Sequence, residues 1–334
     1  VPETDHTGHS DWHPTASLEI LRLRATLTAR IRSEFRSRGV LEVDTPLLSR
    51  YATTDPALDI FETAFCGPGQ ADPLPLYLQT SPEFFMKRLL AAGSGPIYQI
   101  SHVFRNQEFG SRHNPEFTML EWYRPGIDYQ QLMDDVDSLL EKVLEGVLDY
   151  RPARRIRYRD WFIEYTGLDP WRDNVAAFSG FAQEQLGALP RGLDADRLDP
   201  WLDFLVTHWL EPRLGEGAVF VYDYPASQAS LAKIRDGEVP VAERFELYLD
   251  GRELANGFSE LVDAEEQQQR FENDNRERQR DGRQALPADR KLVAALRHGL
   301  PECSGVALGF DRLVMLAAGI ENIAGAIPFG FAAV

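Results

Sequence analysis

The sequence predicts an α+β fold, an antiparallel sheet flanked by helices, on three observations. Strand-like segments do not alternate regularly with helical ones, which argues against a doubly wound parallel sheet. Residues 117–123 alternate strictly between two faces, and segments 245–249 and 253–258 flank an Asp250-Gly251 turn, both marks of antiparallel pairing. Residues 20–35 and 132–147 carry apolar side chains at helical spacing, so amphipathic helices are expected against that sheet. The 334 residues, 43% hydrophobic and 26% charged, match a soluble globular chain with length for one large domain or two average ones.

In chain order, residues 1–16 read as a polar, flexible tail, with His6, His9 and His13 solvated rather than metal-bound. Ser17 is the expected N-cap of the first helix, with Glu19 favourable in its first turn. Ile20, Leu23, Leu27, Ile31 and Phe35 form its apolar face until Gly39 stops it. Residues 40–43 form a short strand running into Pro46, and 68–75 a loop. Ser81 as N-cap and Pro82 at the first helical position open a helix over 84–92. Strands are expected at 97–104 and 117–123, separated by the polar stretch 105–116. Leu132, Val136, Leu139, Val143 and Val147 line a second amphipathic helix. Residues 150–215, rich in Pro, Trp and charge, read as a helical insertion. Beyond the strands around Asp250-Gly251, residues 263–279 are almost wholly polar and predict an exposed helix with Asp263 and Glu266 as a capping box. A strand of small residues over 304–309 and a helix over 312–318 close the chain.

Composition also excludes functions. No apolar run approaches the roughly 20 residues of a membrane helix, and residues 1–14 lack a signal-peptide pattern, so no membrane association is expected. Cys66 and Cys303 are the only cysteines, which suits a reducing cytoplasm and argues against disulfides or structural zinc. A net charge of −17 disfavours a large RNA partner, because phosphate backbones are bound by cations.

Three groups of residues could carry chemistry. On 117–123, Phe117, Met119, Glu121 and Tyr123 share one face, offering a ring, a carboxylate and a hydroxyl; alone, a half-buried strand with Glu121 paired to an arginine accounts for this more simply. In the hairpin, a two-residue turn sets Leu249 opposite Arg252, Tyr248 opposite Glu253 and Glu246 opposite Ala255. Glu246 and Glu253 are then diagonal neighbours, roughly 7–8 Å apart at the backbone. Such a pair either holds Mg²⁺ together with phosphate oxygens or stands solvated on an open face. Third, Gly305 to Gly309 leads into a helix beginning near Asp311 and Arg312, where glycines, a helix N-terminus and a guanidinium all favour phosphate; Arg105 could supply an opposite clamp. Either arginine alone also suits a surface ion pair.

These segments resemble, in order, the motifs of class II aminoacyl-tRNA synthetases. Residues 36–48, with Pro46, resemble motif 1, which builds the dimer interface of that family. Phe104-Arg-Asn-Gln-Glu108 with Arg112-His-Asn-Pro-Glu-Phe-Thr-Met-Leu-Glu-Trp-Tyr123 resembles motif 2, and Gly305-Val-Ala-Leu-Gly-Phe-Asp-Arg-Leu-Val-Met-Leu316 motif 3. Asn256-Gly-Phe-Ser-Glu-Leu261 and Thr80-Ser-Pro-Glu83 resemble the lysyl-specific branch. Those enzymes carry an anticodon-binding domain ahead of motif 1, and only residues 1–16 precede that helix here. Pro225-Ala-Ser-Gln-Ala-Ser-Leu231, Val241-Ala-Glu-Arg-Phe-Glu246 and Cys303-Ser-Gly-Val-Ala-Leu-Gly309 are similar to a truncated paralogue family, the elongation factor P–(R)-β-lysine ligases.

The resemblance implies a class II synthetase-like catalytic domain over 17–334, a homodimer, and activation of (R)-β-lysine by ATP and Mg²⁺, followed by transfer to a lysine of elongation factor P without tRNA. It implies Arg105 and Arg312 as catalytic residues. Around ATP it implies Arg105, Asn106, Gln107, His113, Asn114, Phe117, Glu253, Leu254, Gly309 and Arg312. Glu246 and Glu253 would hold Mg²⁺, and Ser81, Pro82, Glu83, Glu121, Tyr123, Asn256, Glu260 and Ala307 would bind the diamino acid. Gln107 departs from the family's usual Glu, Ala307 from the lysyl enzymes' Gly, and residues 326–334 match the family poorly. A short lysyl-tRNA synthetase-like enzyme and an inactive synthetase-like module are the alternatives.

Overall fold

The protein is described by a computed structural model over residues 12–69, 72–187, 189, 193 and 196–334. Ser17 caps α1 (Leu18–Ser37), its hydroxyl accepting from the Ile20 backbone N–H at 3.3 Å, and Gly39 at φ 68° turns the chain away. Leu27, Ile31 and Phe35 are its buried stripe, with Ile20 and Leu23 at the margin. His6 and His9 lie outside the described residues. Trp12 is exposed, whereas the Thr15 N–H donates to the Pro328 carbonyl at 2.8 Å and Ala16 is buried.

Next come β1 (Leu41–Glu42), β2 (Leu48–Ser49), β3 (Glu62–Phe65) and β4 (Leu74–Leu78). The last three form a small antiparallel sheet in the order β2-β4-β3. This corrects the reading of 68–75 as a loop: β4 begins at Leu74, and Pro75 is tolerated because β2 pairs only with Tyr77 and Leu78, leaving β4 an open edge at the proline. Then follow α2 (Glu83–Ala91), β5 (Ile97–Phe104), β6 (Glu116–Pro125) and α3 (Tyr129–Val143), which stops short of Val147. Pro82, not Ser81, is the N-cap of α2. Residues 150–215 hold β7 (Arg154–Arg157), α4 (Tyr158–Thr166), α5 (Val175–Leu186) and α6 (Asp199–Leu205). The remainder is β8 (Ala218–Pro225), β9 (Ile234–Arg235), β10 (Val241–Leu249), β11 (Arg252–Ser259), α7 (Ala264–Arg280), α8 (Arg290–Gly299), β12 (Cys303–Gly309) and α9 (Phe310–Ala318).

The main sheet runs β1-β5-β6-β12-β11-β10-β8-β7, with β9 beside β10. Its middle is antiparallel; only the end pairs β1–β5 and β7–β8 are parallel. β7 therefore makes part of 150–215 an edge of the main sheet rather than a purely helical insertion. Leu120, Trp122, Val306, Leu308, Phe245 and Leu247 cover one face and pack on α1, α3 and α9. That burial, about 1.5–3 kcal/mol for each large apolar side chain, commits the face to the core and leaves the other face for polar residues.

α7 corrects a second expectation. Asp263 caps it through the Glu265 and Glu266 N–H groups, but the helix is not simply exposed. Gln267, Phe271 and Arg278 are buried, and Arg278 donates to the carbonyls of Asp55 and Leu58. Arg270 donates to the carbonyls of Ser230 and Ala232, and Glu277 pairs with Arg197. The polar composition belongs to a helix that pins three loops. No helix among the described residues is long and apolar enough to cross a membrane, and both cysteines are free thiols.

Candidate active site

Alternation buries one face of the sheet, and register assembles the other. Gln99 on β5, Glu121 on β6, Ala307 on β12, Asn256 on β11 and Glu246 on β10 pair across neighbouring strands as one lateral row. Tyr123, Gly305, Phe258 and Arg244 form the next. A cavity of about 870 Å³ opens over these strands.

The hairpin turn is tight, with Asp250 and Gly251 at φ 50° and 68°. Tyr248 faces Glu253 as expected, but Glu246 faces Asn256, not Ala255. Leu254 is the extra residue of a β-bulge. It resets the alternation so that Glu253 and Asn256 both reach the site face; a regular strand would send Asn256 to the core.

One side of the cavity is cationic. Arg312, in the first turn of α9, donates to the Glu253 carbonyl (3.0 Å) and to Glu253 Oε2 (3.1 Å), and lies 2.9 Å from His113 Nε2. Burial and then the Arg312 charge lower the His113 pKa, so a neutral ring accepts from the guanidinium. Burial opposes charge on Glu253, yet Arg312, with Arg105 and Arg244, holds its carboxyl below the ordinary value. Arg105 sits 5.2 Å over the Phe117 ring and 3.6 Å from Glu108, and its buried Nε meets no acceptor among the described residues. Glu246 is clamped: Oε1 pairs with Arg244 (2.5 Å), and Oε2 accepts from the Tyr224 (2.7 Å) and Tyr248 (2.5 Å) hydroxyls.

The other side is acidic, with Glu121 and Glu260 buried. Glu121 Oε1 accepts from the Tyr123 hydroxyl (2.6 Å) and Oε2 from Ser81 (2.8 Å), whose oxygen also accepts from the Glu83 N–H. Burial, reinforced by the Glu83 charge, pushes Glu121 up to about 7. Burial pushes Glu260 up to about 8, although Lys87 pulls the other way. Lys87 bridges Glu83 and Glu260.

Of the residues expected at the site, Arg105, His113, Asn114, Phe117, Glu253, Leu254, Gly309, Arg312, Ser81, Glu83, Glu121, Tyr123, Asn256, Glu260 and Ala307 border this one cavity. Pro82, Asn106, Gln107 and Glu246 are not among its bordering residues. Asn106 instead accepts from the Gln107 N–H (2.9 Å), and Gln107 is exposed in a left-handed turn at φ 66°. Asn114 spends its amide on the Glu116 carbonyl and the Phe331 N–H, so the C-terminal segment does touch the site. Sequence reasoning missed Lys87, whose i,i+4 spacing from Glu83 was the available signal. Glu211, which is not among the residues bordering the cavity, is pushed up to about 8 by burial and by the charges of Glu253 and Glu246.

A family model described as "tRNA synthetases class II (D, K and N)" matches residues 7–332. Curated proteins named elongation factor P–(R)-β-lysine ligase match along nearly their whole length. The one from Pectobacterium atrosepticum is 50% identical over 321 residues, 96% of this chain and 97% of its own. Those from Salmonella typhi and Yersinia pestis are 51% and 50% identical, covering 95% and 96% of this chain and 97% of theirs. Motif residues gathered on one sheet face, and half-identity from end to end, lead to one assignment: the chain belongs to the class II tRNA synthetase family of D, K and N type, in the branch of the elongation factor P–(R)-β-lysine ligases.

Proposed function

We propose that the protein joins (R)-β-lysine to ATP as an aminoacyl-adenylate, releasing pyrophosphate, and passes the aminoacyl group to the ε-amino group of a lysine of elongation factor P. The observation that carries this is the one cavity in which half-buried Glu83 and buried Glu121 and Glu260 stand beside Arg105, Arg312 and His113. Acidic groups out of water suit a substrate with two ammonium groups, and guanidiniums suit a triphosphate. The relatives' names support a protein acceptor over tRNA or an inactive module.

Carboxylate attack on the α-phosphorus needs no protein nucleophile, so the residues position and neutralise. Arg105, with its unpaired Nε, would meet the α-phosphate and the reacting carboxylate; Arg312 and His113 would meet the outer phosphates. Phe117 offers a ring to the adenine. Glu253 borders the cavity and would hold Mg²⁺, joined by Glu246 through the lone pair that Arg244 and the two tyrosines leave open. Bound Mg²⁺ would supply charge neutralisation on the triphosphate. Among the described residues no cluster of three His, Cys, Asp or Glu encloses a metal, so such an ion would share its shell with phosphate oxygens.

The catalytic unit spans 17–334 and pairs as a homodimer in the cytoplasm; exposed Leu41, Leu47 and Leu48 around β1 and β2 support that interface. Pyrophosphate exchange with β-lysine and with α-lysine, followed by transfer to purified elongation factor P or to tRNA, tests the reading. Exchange driven by β-lysine with label on the factor is the expected result; label on tRNA alone would overturn it.

A further inference from the structure

Two of the carboxylates that face the diamino acid are already joined to a cation of the protein. Lys87 Nζ lies 2.6 Å from Glu83 Oε1 and 2.6 Å from Glu260 Oε2, and its side chain is 1% exposed. Glu83 and Lys87 stand one turn apart on α2, whereas Glu260 follows the end of β11, so this ammonium ties helix to sheet beside the cavity. Phe258, on the site face, places its ring 5.7 Å from the ammonium. A cation so deep persists only when paired, and both partners here are substrate-facing.

The bridge has two consequences. It takes one oxygen from each carboxylate, while the hydroxyls of Ser81 and Tyr123 hold both oxygens of Glu121. Glu83 Oε2 and Glu260 Oε1 are left clear of the bridge; the contact with Glu260 Oε2 is an ion pair, and neither Glu260 oxygen receives a hydrogen bond among the described residues. The bridge also fixes charge: three carboxylates and one ammonium sum to −2 when ionised. A diamino acid whose own carboxylate turns toward phosphorus brings two ammonium groups, which that charge neutralises.

We propose that Lys87 is a positioning residue for the diamino acid, presenting one oxygen each of Glu83 and Glu260 and setting the pocket's charge to match two ammonium groups. The proposal rests on the diamino-acid reading of the same site. Pyrophosphate exchange with the full chain tests it through Lys87→Met, Glu83→Gln and the double variant, with KM measured for β-lysine and for ATP.

Either single change is expected to raise the β-lysine KM about tenfold or more and leave the ATP KM within about twofold. The double variant, again at −2, should have a lower β-lysine KM than either single variant, a sign of coupling that simple packing loss does not produce. Losses that add in the double variant, or an unchanged KM in Lys87→Met, would overturn the proposal. Should Lys87→Met fail to fold, the double variant against Glu83→Gln decides alone, a higher KM in the double overturning it. A wild-type enzyme inert to every diamino acid would overturn both this and the substrate reading, whereas failure confined to the variants removes only the role of Lys87.

Discussion

Ala307 on β12 lies opposite Glu121 on β6 and, along its other edge, opposite Asn256 on β11. Its methyl therefore stands in the row that floors the acidic side of the cavity. A methyl where a substrate must approach a strand costs about 1–3 kcal/mol of overpacking, which is roughly ten- to a hundredfold in affinity at about 1.4 kcal/mol per decade. Ala307→Gly is expected to raise activity toward α-lysine relative to β-lysine. An unchanged activity ratio in pyrophosphate exchange would show that Ala307 only packs the sheet.

The two hairpin carboxylates are predicted to be needed for activation. Glu253→Gln removes the charge that Arg312 pairs with; Glu246→Gln loosens the cluster of Arg244, Tyr224 and Tyr248. Both should depress adenylate formation and weaken its Mg²⁺ dependence. Wild-type exchange and an unaltered Mg²⁺ titration in either variant would remove that carboxylate from the metal site.

Substrate binding should release protons near neutrality. Glu121 and Glu260 rise from 4.5 to about 7 and about 8, so between pH 4.5 and 8 the folded, empty pocket holds more protons than the unfolded chain. These groups therefore subtract stability as pH rises through that window, while a substrate with two ammonium groups, which favour the ionised forms, binds more tightly. Calorimetry at pH 7 in two buffers of different ionisation enthalpy should give different heats, the difference shrinking in Glu260→Gln. Equal heats would mean that the pocket is already ionised when empty.

Gly305→Ala should damage the pocket and the fold together. A Cβ there would press into the Tyr123 ring and Glu260 Oε1, both buried, so that one of these site groups or the strand must shift. A loss of about 1–3 kcal/mol in denaturant unfolding is expected, with the amino-acid KM rising more than that of ATP. A variant as stable as wild type would show that this strand can shift.

Light scattering at micromolar concentration should give twice the chain mass, since obligate interfaces usually bury upwards of about 2,000 Å². An active monomer would remove the motif-1 reading of α1 and β1.

How far the sequence was legible follows from how local each signal is. Ser17 and its apolar stripe, the turn at Asp250-Gly251 and the alternation of 117–123 are set within a few residues, where capping, φ preference and side-chain period act. The small sheet of β2, β3 and β4 escaped because its strands are short and its pattern carries prolines. α7 read as exposed because composition cannot say that Arg278 and Gln267 turn inward to hold loops from elsewhere in the chain.

By itself the sequence determined the faces: which side of each strand is apolar, where helices start, and which motif residues stand ready for nucleotide and diamino acid. Only the tertiary structure decided which of those residues meet. Strand register set Glu121, Ala307 and Asn256 in one row, the bulge at Leu254 turned Asn256 toward them, and helix-on-sheet packing put Lys87 between Glu83 and Glu260. Period is a property of neighbours along the chain. The register of β6 on β12 and the pairing of Lys87 with Glu260 join segments far apart in sequence, and no local pattern fixes them.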